Sequence, residues 1–89
     1  MVKDRILLNN RRPIGIAFTD DDVTVTLSDG SKLSHPLSWH WWLEQATSQQ
    51  RANVEFYSDS VWWPDLDEGL DIEAMLRGIQ SKRPHSVAE

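Results

Sequence analysis

The stretch VTVTLSDGSKLSHP, residues 23–36, decides the fold. Val23, Val25 and Leu27 alternate with Thr24 and Thr26. This is the period of two of a strand that turns one face to a core, and β-branched residues suit it. Asp29-Gly30 follows at once. The pair fits a two-residue type I′ turn, whose central residues both need the positive φ that glycine takes without strain. Ser31 to His35 reads as the returning strand, and Pro36, with no N–H for a ladder, ends it.

Upstream, Ile14, Ile16 and Phe18 alternate with Gly15 and Ala17 as a further strand, followed by the polar turn Asp20-Asp21-Asp22. Downstream, Leu37-Ser38-Trp39 looks like a helix start, with Ser38 as cap and Leu37 placed to staple against Trp42. Trp39, Trp42, Leu43 and Ala46 fall on one helical stripe and Trp41 off it. Thr47 and Gln50 have the spacing of a capping box for a second short helix, residues 48–53. Val54 to Tyr57 and Val61 to Trp63 read as strands around Ser58-Asp59-Ser60, ended by Pro64. A last helix, residues 72–77, has Asp67, Glu68 and Asp71 at its positive end and Gly78 as C-cap. The expected class is α+β: a small antiparallel sheet of about five strands in meander hairpins, with two or three short helices. One domain is expected over residues 1–80, with 81–89 a disordered tail.

With 89 residues, 39% hydrophobic and 26% charged, the chain has room for one core. It has no cysteine, so disulfides, thiolate zinc sites, iron–sulfur clusters and a cysteine nucleophile are excluded together. The longest uncharged run, Leu33 to Leu43, is too short to span a bilayer and is broken by His35, Pro36 and His40, so no membrane association is expected. The first thirteen residues lack the apolar segment of a secretion signal, and a cytoplasmic location is expected. A net charge of −5 repels phosphate backbones and favours basic partners.

The crowd of Asp65, Asp67, Glu68, Asp71 and Glu73 fails as a calcium loop, because Leu70 stands where glycine is needed and Leu76 where a bidentate carboxylate is needed. His35, His40 and His85 lack metal-ligand spacing and read as ordinary surface or turn residues. No serine has a base and an orienting acid nearby in sequence, and no glycine-rich loop could cradle phosphates. Neither catalysis nor a cofactor is expected, unless groups distant in sequence meet in the fold. Among the five tryptophans, Trp39 and Trp63 read as core. Trp41, Trp42 and Trp62 read two ways: as an exposed patch which, with Asp67 and Glu68, would bind a partner, or as faces covered by the helix, the tail or a dimer mate.

Five blocks in order carry a resemblance: Leu27-Ser28-Asp29-Gly30, Pro36-Leu37-Ser38-Trp39, Ala46-Thr47-Ser48-Gln49-Gln50-Arg51-Ala52, Trp63-Pro64-Asp65-Leu66-Asp67-Glu68 and Met75-Leu76-Arg77-Gly78. Residues 23–78 thereby resemble the bacterial family known as domain of unknown function 2442. The chain departs from the family pattern at Trp41 and Trp42, where relatives tend to carry proline and a basic residue, and at Gly69, where they carry an acidic one. The resemblance implies a small α+β domain on an antiparallel sheet. Because members tend to sit beside toxin-like genes or to be fused to helix-turn-helix domains, it also implies an antitoxin-like or regulatory adaptor. The expectation is a non-enzymatic protein-binding module, the antitoxin-like or inhibitory half of a bacterial or phage two-gene system, that occludes a basic, toxin-like or effector protein. The alternative is a nucleic-acid-binding transcriptional regulator, although nucleic acid fits this acidic chain poorly; a homodimer is also compatible.

Overall fold

The computed structural model describes residues 11–81. Pro13–Phe18 (β1), Asp22–Leu27 (β2) and Lys32–Pro36 (β3) form an antiparallel sheet in the order β1-β2-β3. Glu55–Phe56 (β4), Ser60–Trp63 (β5) and Glu68–Asp71 (β6) form a second, in the order β4-β5-β6. Between the sheets run a 3₁₀ turn, Leu37–Trp39, and two short helices, Trp41–Glu44 (α1) and Ser48–Ala52 (α2). Helix α3, Ile72–Leu76, begins at the residue after β6 ends. The α+β class is as expected. The single sheet of about five strands is instead two sheets of three, because Glu68-Gly69-Leu70-Asp71, with one apolar side chain, carries no strand pattern yet pairs with β5.

Val23, Val25 and Leu27 from the first sheet and Val61, Trp63 and Leu70 from the second bury themselves in one cluster. Leu37, Trp42, Leu43, Ile72 and Met75 complete it. The hairpin turn differs from the two-residue form. Leu27 N–H donates to the Ser31 carbonyl and Gly30 N–H to the Leu27 carbonyl, each at 2.9 Å, so the loop is the three residues 28–30. Gly30 (φ 92°) takes positive φ there and Asp29 does not. Asp29 instead accepts from Ser31 N–H at 2.9 Å, a side-chain bond that closes the loop locally. In β1 the pairing slips between Pro13 and Gly15. The extra residue reverses the alternation, so Pro13 is buried while Ile14 is 58% exposed.

The first helix starts later than expected. The backbone leaves helical geometry at His40 (φ −128°, ψ 79°), and Ser38 makes no capping bond. The Thr47–Gln50 capping box is present in both directions, at 2.9 and 3.1 Å. At α3, Asp71 alone of the expected acidic trio is the cap, accepting from Ala74 N–H at 3.0 Å. Asp67 and Glu68 lie upstream, in a turn and on β6. Gly78 (φ 73°) closes the helix: its N–H reaches the Met75 carbonyl and that of Ile79 the Ala74 carbonyl, the two bonds of a Schellman cap. Ser81, assigned from sequence to the tail, is bonded into the domain, and 82–89 lie outside the described residues. No helix among the described residues is long and apolar enough to cross a membrane.

Candidate functional site

Helices α1 and α2 and the turn between β5 and β6 enclose a cleft of about 320 Å³, lined by Trp41, Trp42, Gln45, Gln50, Asp65 and Glu68 among others. Two acidic residues and two tryptophans thus border one open cleft, and no basic residue is among its lining. Arg51, the nearest basic residue in sequence to Gln50, is turned elsewhere. Its Nε donates to the Leu43 carbonyl at 3.0 Å, and its guanidinium stacks 5.0 Å from the Phe18 ring centroid. Asp65 is held by Asn53 Nδ2 at 3.0 Å.

Of the five residues expected to bind a partner, Trp41, Trp42 and Glu68 come together here. Trp42, which the sequence left open between core and partner surface, lies in the core. It is 5% exposed, with its ring 5.5 Å from Trp63 and 6.1 Å from His40, because α1 is a single turn that presses it onto the core. Its Nε1–H is buried without an acceptor among the described residues, a costly state for an indole. Trp41 is half-buried and packs against the core edge. Asp67 is exposed in the turn with φ 53°. Trp62 alternates with the buried Val61 and Trp63 and lies over Gly69, where a Cβ would come within 2.8 Å of Trp62 Cε3. The missing side chain at Gly69 therefore makes room for the Trp62 ring. Trp39, expected in the core, is half-buried, its ring 4.8 Å from that of His35.

A second cluster was invisible in the spacing of its residues. His35 and His40 are 6% and 2% exposed, not surface residues, and their rings lie nearly parallel with Nδ1 of His35 3.0 Å from Nε2 of His40. His35 Nε2 meets the Met75 carbonyl at 3.0 Å, and His40 Nδ1 meets Ser81 Oγ at 2.8 Å. The signal for His35 lay in the hairpin register, which sets it opposite the inward-facing Val23. Burial, and then the proximity of His35, pulls His40 from 6.5 down to about 4. A base that weak removes a hydroxyl proton poorly at neutral pH, so the contact suits fastening Ser81 better than activating it. No group of three or more ligating side chains among the described residues could hold a metal ion.

Elsewhere, Ile14, Phe56 and Tyr57 are exposed and, with Arg12, line a shallow depression.

Comparison with known proteins adds fold but no chemistry. A protein of unknown function from Rhodospirillum rubrum is similar in structure, with a TM-score of 0.68 at 24% identity over 84% of this chain and 95% of that one. An uncharacterized protein from Chromobacterium violaceum has a TM-score of 0.72 at 13% identity, over 89% of this chain and 76% of that one. No curated protein matches. The family described as protein of unknown function (DUF2442) matches residues 13–81, a span that takes in both sheets, the cleft and the histidine pair, and the chain belongs to that family.

Proposed function

We propose that the protein is a non-enzymatic binding module whose acidic, tryptophan-walled cleft takes a basic segment of a partner protein, as the antitoxin-like or inhibitory member of a two-gene system. The observation that carries this reading is the convergence of Trp41, Asp65 and Glu68 on one space with no lining cation. A guanidinium or ammonium group there gains from an indole face and from the carboxylates together. The net charge of −5 steers basic partners towards the protein and repels phosphate backbones.

The test is titration of the full chain with a hexa-arginine peptide, a hexa-glutamate peptide and a single-stranded oligonucleotide at physiological salt. Saturable binding to hexa-arginine alone is expected. Trp41→Ala should weaken it by about 2 kcal/mol, the size of an interfacial aromatic anchor. Glu68→Gln should weaken it less. Tight, steeply salt-dependent binding to the oligonucleotide would replace this reading with a nucleic-acid regulator.

A further inference from the structure

The hydrogen bonds around the histidine pair run in one direction. A peptide carbonyl only accepts, so the Met75 carbonyl fixes the proton of His35 on Nε2. Neutral His35 then accepts at Nδ1, which makes His40 Nε2 the donor between the rings. Neutral His40 in turn accepts at Nδ1, so the Ser81 hydroxyl donates. Ser81 N–H also donates to the Trp39 carbonyl at 2.9 Å. Gly78 and Ile79 are tied to α3 by the Schellman cap, and beyond it Ser81 ties the segment back to the 3₁₀ turn and His40.

We propose that His35 and His40 form a proton-gated latch, in which Ser81, beyond the Schellman cap, lies closed over His40 while its ring is neutral and lifts away when it takes up a proton. One proton can enter without breaking a bond, since a His40 cation could donate to both neighbours with the Ser81 hydroxyl turned round as acceptor. The charge would still lie buried with no carboxylate to balance it among the described residues. Strand β3 offers it His35, the 3₁₀ turn Trp39, α1 Trp42 and α3 the Met75 carbonyl. Of the charged side chains on and beside these elements, Asp21, Lys32, Glu44, Asp71, Glu73 and Arg77 are exposed and Asp22 is half-buried, and none bonds to either ring. Lifting the segment gives the cation water.

The closed site pulls His40 from 6.5 down to about 4, and access to water moves it back towards 6.5. The open form therefore holds more protons between these values, and opening grows as pH falls through that window and levels off below it. Relative to pH 7.5, opening increases by up to about tenfold at pH 5.5 and up to about a hundredfold at pH 4, the limits set by a full return to 6.5.

The experiment is amide hydrogen exchange by NMR on the full chain, corrected for intrinsic rates, alongside the imidazole carbon shifts. Protection of the Ser81 amide should fall by those factors in step with His40 titration, while Val25 in β2 keeps its protection. His40→Gln should remove the pH dependence. Ser81→Ala, which leaves both rings in place, should lower protection at position 81 about fivefold at pH 7.5, the loss of one hydrogen bond. Unchanged protection while His40 titrates, or an equal fall at Val25, would overturn the latch, as would a Ser81→Ala variant that exchanges like the wild type.

Discussion

In the first sheet β2 carries Val23, Val25 and Leu27 inward along a six-residue strand, whereas in the second β4 has two residues and β5 four. The first sheet is written locally: alternation sets the buried face and a three-residue loop sets the register. The second has too little strand to specify itself. It takes its position from Trp63, whose ring packs edge-on against Phe18 of the first sheet and Trp42 of α1, and whose Nε1 donates to the Arg51 carbonyl at 3.0 Å. Short strands can thus be held by one large side chain that docks on neighbours already in place.

The largest test of this contrast is Trp63→Ala. The residue is fully buried, and its truncation should cost about 3–5 kcal/mol in chemical denaturation. A loss below about 1 kcal/mol would mean that the second sheet is held by its own ladder. The next effect concerns pH. His40 is depressed from 6.5 to about 4 in the folded state, so its stabilisation is complete above 6.5 and is lost on acidification towards 4, at most about 3 kcal/mol in all. Denaturation midpoints of the wild type against His40→Gln should converge across that window. Gly69→Ala comes third. A Cβ there would meet Trp62 Cε3 and the Val61 carbonyl at 2.8 Å, and overpacking of this kind should cost about 2 kcal/mol and change the near-ultraviolet signal of Trp62. Gly30→Val should cost least, about 1 kcal/mol, because a Cβ meets nothing within 4 Å and only the positive φ resists it. A melting temperature unchanged by Gly30→Val would remove the local turn from the account of the first sheet.

What could be read from the chain follows the same division. The β2–β3 hairpin, the Thr47–Gln50 capping box and the Gly78 cap are short-range devices, and each was legible because all of its parts lie within a few residues. The β1 bulge was not, since Ile14, Ile16 and Phe18 keep a regular spacing while the pairing slips beneath them. Strand β6 was hidden because its buried character rests on Leu70 and on a glycine that faces Trp62. Of the cleft, the sequence marked Trp41, Trp42 and Glu68 but left Trp42 open between core and surface, since it could not show that a four-residue helix would press that ring onto Trp63. The histidine pair escaped because its outer partners, Met75 and Ser81, lie 40 residues beyond His35 and 41 beyond His40.

Strand β6 passes into α3 with no intervening residue: Asp71 ends one and caps the other, and Ile72 N–H is tied to the Asp59 carbonyl at 2.9 Å. Such a joint has no slack to absorb a change in length. One residue inserted between Leu70 and Asp71 would turn the helix by about 100° about its axis and carry Ile72 and Met75 off the core. It would also swing the Met75 carbonyl away from His35. Within this fold the junction at residues 71 and 72 should therefore keep its count even where its side chains change.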